Sequence, residues 1–302
     1  MRSSAFILAF SAIILWGSLA TLGTHVTHVP PFLSVGTALC VSGIMSIFLI
    51  RQWRVPLKTF AVGIGGIFGY HFLYFTAFRY APPVEASLIN YLWPLLIVLL
   101  SPVFLQGYQL RYYHIIGALM GLTGAGLIVT GGSLSLDMAN IRGYLFAGSA
   151  AFVWASYSLL TKRLPPFPTA AVGGFCLISG LLSVGLYFAE ARSFDFINSL
   201  KFVDWLILIL LGIGPMGLAF FAWDASLKQG DPRIIGSLSY LTPLLSTSLL
   251  IFLGGRSLTW VSGLAMALIV LGAIIGSIDM LSWKKQSTAL SVDTHDTWQK
   301  RG

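Results

Sequence analysis

The sequence predicts an all-α polytopic membrane protein: ten transmembrane helices as two inverted five-helix repeats, with both termini cytoplasmic. Three observations carry this. Hydrophobic residues fill 56% of the 302 positions and charged residues 9%, with a mean hydropathy of +0.84, whereas a soluble domain carries about 25% charge. Ten apolar runs of spanning length follow one another with short connections, each near the roughly 20 residues a helix needs to cross the hydrocarbon. The chain also repeats itself halfway along, and such a period decides an architecture.

The runs are 4–24, 31–50, 59–79, 84–106, 113–131, 143–161, 169–189, 203–226, 234–254 and 259–281. Each backbone polar group in lipid needs a partner within its own span, so these runs are helices. A transmembrane β-barrel would show alternating segments of about ten residues instead. The first run is too long for a signal peptide and a second span follows at once, so it is a retained helix. With the N-terminus inside, the inner segments hold Arg2, Arg51, Arg54, Lys58, Arg111, Lys162, Arg163, Lys228, Arg233, Lys284, Lys285, Lys300 and Arg301. The outer segments hold only Arg79, Arg142, Arg192, Lys201 and Arg256. That excess sets the orientation, and it accounts for the net charge of +8 without a nucleic-acid partner. Residues 284–302 are polar, lack an apolar period and are expected to form a disordered cytoplasmic tail. Cys40 and Cys176 fall inside apolar runs and are expected as small packing residues.

Residues 63–96 slide by 149 positions onto 212–245 without a gap, with about ten identities in 34 positions. Gly63-Ile64-Gly65 lands on Gly212-Ile213-Gly214, Phe72 on Phe221 and Pro83 on Pro232. The segment Tyr91-Leu92-x-Pro94-Leu95-Leu96 lands on Tyr240-Leu241-x-Pro243-Leu244-Leu245. With small shifts of offset, Ser11-Ala12 and Trp16 match Ser149-Ala150 and Trp154, and Gly117 and Met120 match Gly263 and Met266. The units are therefore 1–131, an external linker at 132–142, and 143–283. Five is odd, so the second unit is inverted. Inverted repeats are a device of secondary transporters, whose halves open alternately to each side; neither a scaffold nor a membrane enzyme needs them.

The repeat also points to a site. Pro94 and Pro243 sit near mid-span in the fourth and ninth helices, where proline lacks an N–H and clashes with the carbonyl four residues back. The carbonyls of Asn90 and Ser239 are expected to be freed there, the alternative being a packing kink. Gly65 and Gly214 are further candidate hinges. Candidate substrate-binding residues are Trp16, Tyr70, His71, Tyr74, Asn90, Tyr91, Trp93, Trp154, Ser239 and Tyr240; Ser237 and Thr242 add hydroxyls on the ninth helix. Aromatic faces with neutral hydrogen-bonders suit a solute with an apolar side chain and polar ends. His71 is the one ionisable side chain placed near mid-bilayer, where such groups are functional candidates: substrate contact or gating, structural hydrogen bonding, or proton coupling. Glu85 and Asp224 are expected at a gate or rim, Glu85 at a helix start and Asp224 paired with Lys228 four residues on.

No Lys or Arg lies mid-span to bind a phosphate, and the first helix has no carboxylate for a drug cation or a proton. No metal or cofactor motif is present; His25-x-x-His28 is a weak one in a loop. Gly65-x-x-x-Gly69, Gly117-x-x-x-Gly121 and Gly272-x-x-x-Gly276 are faces for close helix packing. Packing within the bundle is the default, giving a monomer, with a dimer through the fifth and tenth helices as the alternative.

Over residues 1–283 the chain resembles the EamA-type drug/metabolite transporter superfamily. The segment Pro83-Val84-Glu85-Ala86-Ser87-Leu88-Ile89-Asn90-Tyr91-Leu92-Trp93-Pro94 resembles the aromatic amino acid exporter (YddG-like) branch. The resemblance implies a multi-pass protein of the bacterial inner membrane with a cavity between helices 3, 4, 8 and 9 and parts of 1 and 6. It implies export of aromatic and other neutral or amphipathic amino acids. Alternating access by facilitated diffusion is the expected mechanism, since no carboxylate relay is legible. The alternatives are export of another amphipathic metabolite or drug, and a proton-coupled carrier. No enzyme activity and no cofactor are expected; the partners are the solute and the lipid bilayer.

Overall fold

The computed structural model describes residues 3–133, 136–191, 195–254 and 259–278, and among them every regular element is helical. The expected tail at 284–302 lies outside the described residues. Helices α1 (Ser3–Gly17) and α2 (Leu19–Gly23) form one apolar stretch, Ser4–Val26. The Ser18 hydroxyl between them donates to the Leu15 carbonyl at 2.7 Å. Helix α3 (Pro31–Met45) opens on a proline, whose missing N–H costs nothing in a first turn.

Residues 31–50 do not form one straight span, as the apolar run alone suggested. After Met45 the chain turns by 83° into a 3₁₀ stretch, Ile47–Trp53. The physical reason is a clamp onto a later helix. The Trp53 indole donates to the Ser46 hydroxyl at 3.2 Å, and Ser46 donates to the Ala170 carbonyl at 3.3 Å. A Cβ on Gly174 would meet the Trp53 ring at 3.2 Å, so glycine makes room for it. The turn throws Phe48 outward, 94% exposed.

Helix α4 (Leu57–Ala77) follows. The next span, Pro83–Phe104, is interrupted: α5 (Pro83–Asn90) and α6 (Leu92–Phe104) meet at Tyr91, with ψ 1°. Helix α7 (Tyr112–Thr130) ends on Gly131 at φ +63°, the left-handed cap that favours glycine. Helices α8 (Ile141–Arg163) and α9 (Ala171–Ala191) are followed by the short α10 (Asp195–Ser199). Helices α11 (Phe202–Ile213) and α12 (Ala219–Gln229) flank a π turn, Gly214–Leu218, within one apolar stretch. Gly214 sits at φ −85°, ψ −94°, outside the helical region, and Pro215 beside it has no N–H to donate. The last described elements are α13 (Pro232–Leu238), α14 (Leu241–Gly254) and α15 (Trp260–Gly276).

Among the described residues seven helices are long and apolar enough to cross a membrane, and the bent stretch at α3 makes eight. The expected runs at 234–254 and 259–281 correspond to α13 with α14, broken at Ser239 and Tyr240, and to the 17-residue α15.

Glycine sets the helix contacts. On α3, a Cβ at Gly36 would lie 3.0 Å from the Gly180 carbonyl, and one at Gly43 would lie 2.8 Å from the Gly173 carbonyl of α9. On α7, a Cβ at Gly117 would meet the Gly276 nitrogen at 2.5 Å and the Gly272 carbonyl at 2.6 Å. Small residues let helix backbones approach where lipid provides no hydrophobic drive. Thus α3 packs on α9 and α7 on α15, while α4 packs on α8, α1 on α12 and α14, and α6 on α8 and α13. Gly65 has open space beside it, so the three small-residue motifs do not share one role. Cys176 is buried and Cys40 half-buried, both as free thiols.

Candidate functional site

Two features of the backbone shape the interior. Pro94 and Pro243 each fall in the first turn of a new helix, α6 and α14, and the preceding helix ends just before. The break beside Pro94 is filled by a side chain from the other half. The Tyr240 hydroxyl accepts from the Leu95 N–H and donates to the Tyr91 carbonyl, both at 3.2 Å. Tyr91 and Tyr240 are equivalent positions in the repeat, so the two broken helices are joined at their breaks.

A cavity of about 240 Å³ lies beside this junction. Of the candidate binding residues, Trp16, Tyr70, His71, Tyr74, Asn90, Tyr91, Trp93 and Trp154 line it. Ser239 and Tyr240 do not. The Ser239 hydroxyl turns back to the Ile235 carbonyl at 2.8 Å, and the Tyr240 ring fills the space beside Gly121. Leu19, Ala20, Phe75, Pro215, Met216, Phe220, Thr242 and Ser246 complete the lining. Phe220 was within reach of the sequence, because the same 149-residue slide carries His71 onto it. Pro215 and Met216 were not, since only the π turn brings them inward.

The lining is held by direct contacts. The Trp16 indole donates to the Pro215 carbonyl at 3.0 Å. Its ring centroid lies 6.0 Å from Trp93, 6.1 Å from Trp154 and 5.1 Å from the buried Trp223. Trp223 in turn donates to the Ser158 hydroxyl at 3.1 Å. Trp16, Trp93 and Trp154 thus form an aromatic wall of the cavity, with Trp223 packed against Trp16 and Trp93 behind it. Leu19, Ala20, Tyr74 and Phe75 extend the lining from the tryptophans toward the end of the bundle where residues 132–142 run. The N-terminus of α1 marks the opposite end, where Ser4 donates to Gln229.

Polar groups are few and mostly committed. Tyr74 pairs with Ser87 at 3.0 Å. The Asn90 amide nitrogen donates to the Tyr70 hydroxyl at 3.1 Å. His71 Nδ1 lies 2.7 Å from the Ile67 carbonyl; a carbonyl can only accept, so Nδ1 carries a proton. Two of the lining residues each carry a buried side-chain atom without a partner, Asn90 Oδ1 and Thr242 Oγ1. No Asp, Glu, Lys or Arg lines the cavity among the described residues.

The two candidate gate carboxylates lie elsewhere. Glu85 accepts from the Tyr144 hydroxyl and from Asn140, at 3.3 Å, which ties α5 to the start of α8. Asp224 does pair with Lys228, at 2.6 Å, but it is not an exposed rim group. It is 2% exposed and also accepts from Thr169 at 2.7 Å, with the lysine ammonium 3.5 Å over the Phe167 ring. No cluster of metal-ligating side chains is found among the described residues.

Long apolar helices around an aromatic cavity of solute size define a multi-pass membrane protein with room for a small molecule between its helices. Residues 3–130 and 141–278 match the EamA-like transporter family, and the chain belongs to that family. It is a transporter rather than an enzyme, and a multi-pass protein of the bacterial inner membrane. It is 41% identical over 286 residues to the aromatic amino acid exporter YddG of Ancylobacter novellus, covering 92% of this chain and 98% of the relative. The protein of that name in Escherichia coli K12 is 26% identical over 82% of this chain and 88% of its own. A biotin transporter of Salmonella typhimurium LT2 is 26% identical over 74% of this chain and 76% of its own. A solved crystal structure, 41% identical, is similar with a TM-score of 0.83, covering 92% of this chain and 99% of that one.

Proposed function

We propose that this protein exports aromatic and other neutral, amphipathic amino acids across the bacterial inner membrane by alternating access. The observation that carries the reading is the cavity: aromatic rings and neutral hydrogen-bonders, with no charged side chain in its lining, in a chain 41% identical to a protein named for aromatic amino acid export. Its volume of about 240 Å³ falls below the roughly 300–1,000 Å³ of sites for drug-sized ligands. That size favours an amino acid over a larger drug.

The spans number ten, in two inverted units at 1–131 and 143–283 joined by an external linker. Exchanging the halves carries α1 onto α8, α3 onto α9, α4 onto α11 with α12, α5 with α6 onto α13 with α14, and α7 onto α15. Several of the larger helix contacts come in pairs under that exchange. The α1–α12 contact answers α8–α4, and α3–α11 answers α9–α4, while α3–α9 and α7–α15 map onto themselves. Gly36 against Gly180 likewise answers Gly173 against Gly43. Such a pseudo-two-fold arrangement lets the halves exchange conformations around a fixed site.

With both termini cytoplasmic, as the Lys and Arg distribution requires, the linker end is periplasmic. The cavity lining then extends outward, with the tryptophan wall on the cytoplasmic side. Rocking of the halves about Pro94, Pro243, Gly65 and Gly214 would open the other side. The substrate contacts are Trp16, Tyr70, His71, Tyr74, Asn90, Tyr91, Trp93 and Trp154, with Ser239 and Tyr240 shaping the pocket from behind. Transport is facilitated diffusion, since the lining offers no carboxylate to carry a proton and Asp224 is held by Lys228 and Thr169. The protein works as a monomer, because α7 and α15 spend their small-residue faces on each other.

The test is uptake of labelled phenylalanine, tryptophan and threonine into liposomes holding the purified full chain, alongside His71→Ala and Trp154→Ala. Saturable, competable flux that both variants impair, at a rate flat with pH and voltage, is expected. Strict dependence on a proton gradient would overturn facilitated diffusion; absence of flux with all three would overturn the amino acid reading.

A further inference from the structure

We infer that Asn90 and Thr242 read the two poles of the substrate's zwitterion: the Asn90 carbonyl oxygen takes the α-ammonium and the Thr242 hydroxyl takes the α-carboxylate. This rests on the reading that the cavity binds amino acids, and it deepens that reading by naming what distinguishes an amino acid from an amine or an acid of the same shape.

A buried polar atom without a partner is costly and is rare in folded proteins. Asn90 is only 6% exposed. Its amide nitrogen is committed to Tyr70, and its Oδ1 has no partner while the residue lines the cavity. A side-chain carbonyl oxygen only accepts, and a substrate ammonium brings three donors. Thr242 is the other lining residue with a buried, unpartnered side-chain atom. Its hydroxyl can donate, and it stands in the first turn of the 14-residue α14. The two atoms come from matching helices. The repeat carries Trp93 onto Thr242, so the first half supplies a ring where the second supplies a hydroxyl. Tyr70, Trp93 and Trp154 are then left for the side chain.

The test uses the full chain in liposomes and measures inhibition of labelled phenylalanine uptake by three unlabelled compounds. They are phenylalanine itself, 2-phenylethylamine, which lacks the carboxylate, and 3-phenylpropionate, which lacks the amine. Each analogue leaves one buried group unpaired, and about 1.4 kcal/mol is a tenfold effect. Each should therefore inhibit the wild-type protein about tenfold more weakly than phenylalanine, or worse. Thr242→Val should weaken phenylalanine and close the gap to 2-phenylethylamine to about threefold or less, while the 3-phenylpropionate gap persists. Asn90→Leu should do the converse. Thr242→Ser, which keeps the hydroxyl, should keep both gaps. A merely structural role would move both gaps together or neither, and either result overturns the assignment. So does a wild-type protein that either analogue inhibits as well as phenylalanine, which needs no variant to fold. Absence of saturable phenylalanine flux in the wild type would fail the amino acid reading itself, a result distinct from flux with unmoved gaps.

Discussion

Replacing Lys228 with methionine keeps a long apolar stem beside the Phe167 ring and removes the cation paired with the buried carboxylate of Asp224. The structure sets the size of the effect. The ammonium and carboxylate are 2.6 Å apart, with the aspartate side chain 1% exposed and the lysine side chain 21%. At an effective dielectric constant of about 20 their attraction is roughly 6 kcal/mol, opposed by the desolvation of both ions. Removing one partner of such a pair typically costs about 3–5 kcal/mol, because the other charge stays buried. Lys228→Met is therefore expected to destabilise the protein by about 3–5 kcal/mol. Asp224→Asn should cost less, about 1–2 kcal/mol, since the lysine keeps the Phe167 carbonyl at 3.0 Å and is the more exposed partner. The double variant should lose no more than Asp224→Asn alone. Equilibrium unfolding in detergent micelles, followed by tryptophan fluorescence, supplies the cycle, with an expected coupling of about 2 kcal/mol or more. Losses that add to within about 0.5 kcal/mol would refute the reasoning and return the pair to the solvated rim that its i, i+4 spacing suggested.

Gly65→Ala and Gly117→Ala should have opposite signs in the same unfolding assay. A Cβ at 65 meets open space, and one at 117 meets the α15 backbone at 2.5 Å. The first gains about 0.5–1 kcal/mol of helix stability and the second loses about 1–3 kcal/mol by overpacking; shifts of the same sign would contradict the α7–α15 contact. Tyr240→Phe should cost only about 1 kcal/mol, because Tyr91 caps α6 and its carbonyl keeps its place in the helix. Amide exchange at Leu95 should nonetheless accelerate, and unchanged exchange there would show that the hydroxyl does not guard the break.

The composition, the apolar runs and the 149-residue repeat are enough to predict a helical membrane protein and its two halves, because the cost of burying unpaired backbone in lipid leaves a sequence few options. The repeat also brings out Pro94 and Pro243, and proline acts on the backbone locally, wherever the rest of the chain lies. The same local reasoning picked out Trp16, Tyr70, His71, Tyr74, Asn90, Tyr91, Trp93 and Trp154, all of which line one cavity. What it could not decide was direction in space. Ser239 and Tyr240 have the same chemistry as their neighbours, yet one bonds its own helix and the other bridges to α6. Phe48 reads as the end of a span, but the Trp53–Ser46–Ala170 clamp turns it away. Three identical small-residue motifs divide into buried and open ones only when a second helix arrives. Asp224 is buried because Phe167 and Thr169 fold over it. Periodicity and backbone chemistry are properties of neighbours along the chain, whereas burial and partnership belong to residues that meet only after the helices have packed.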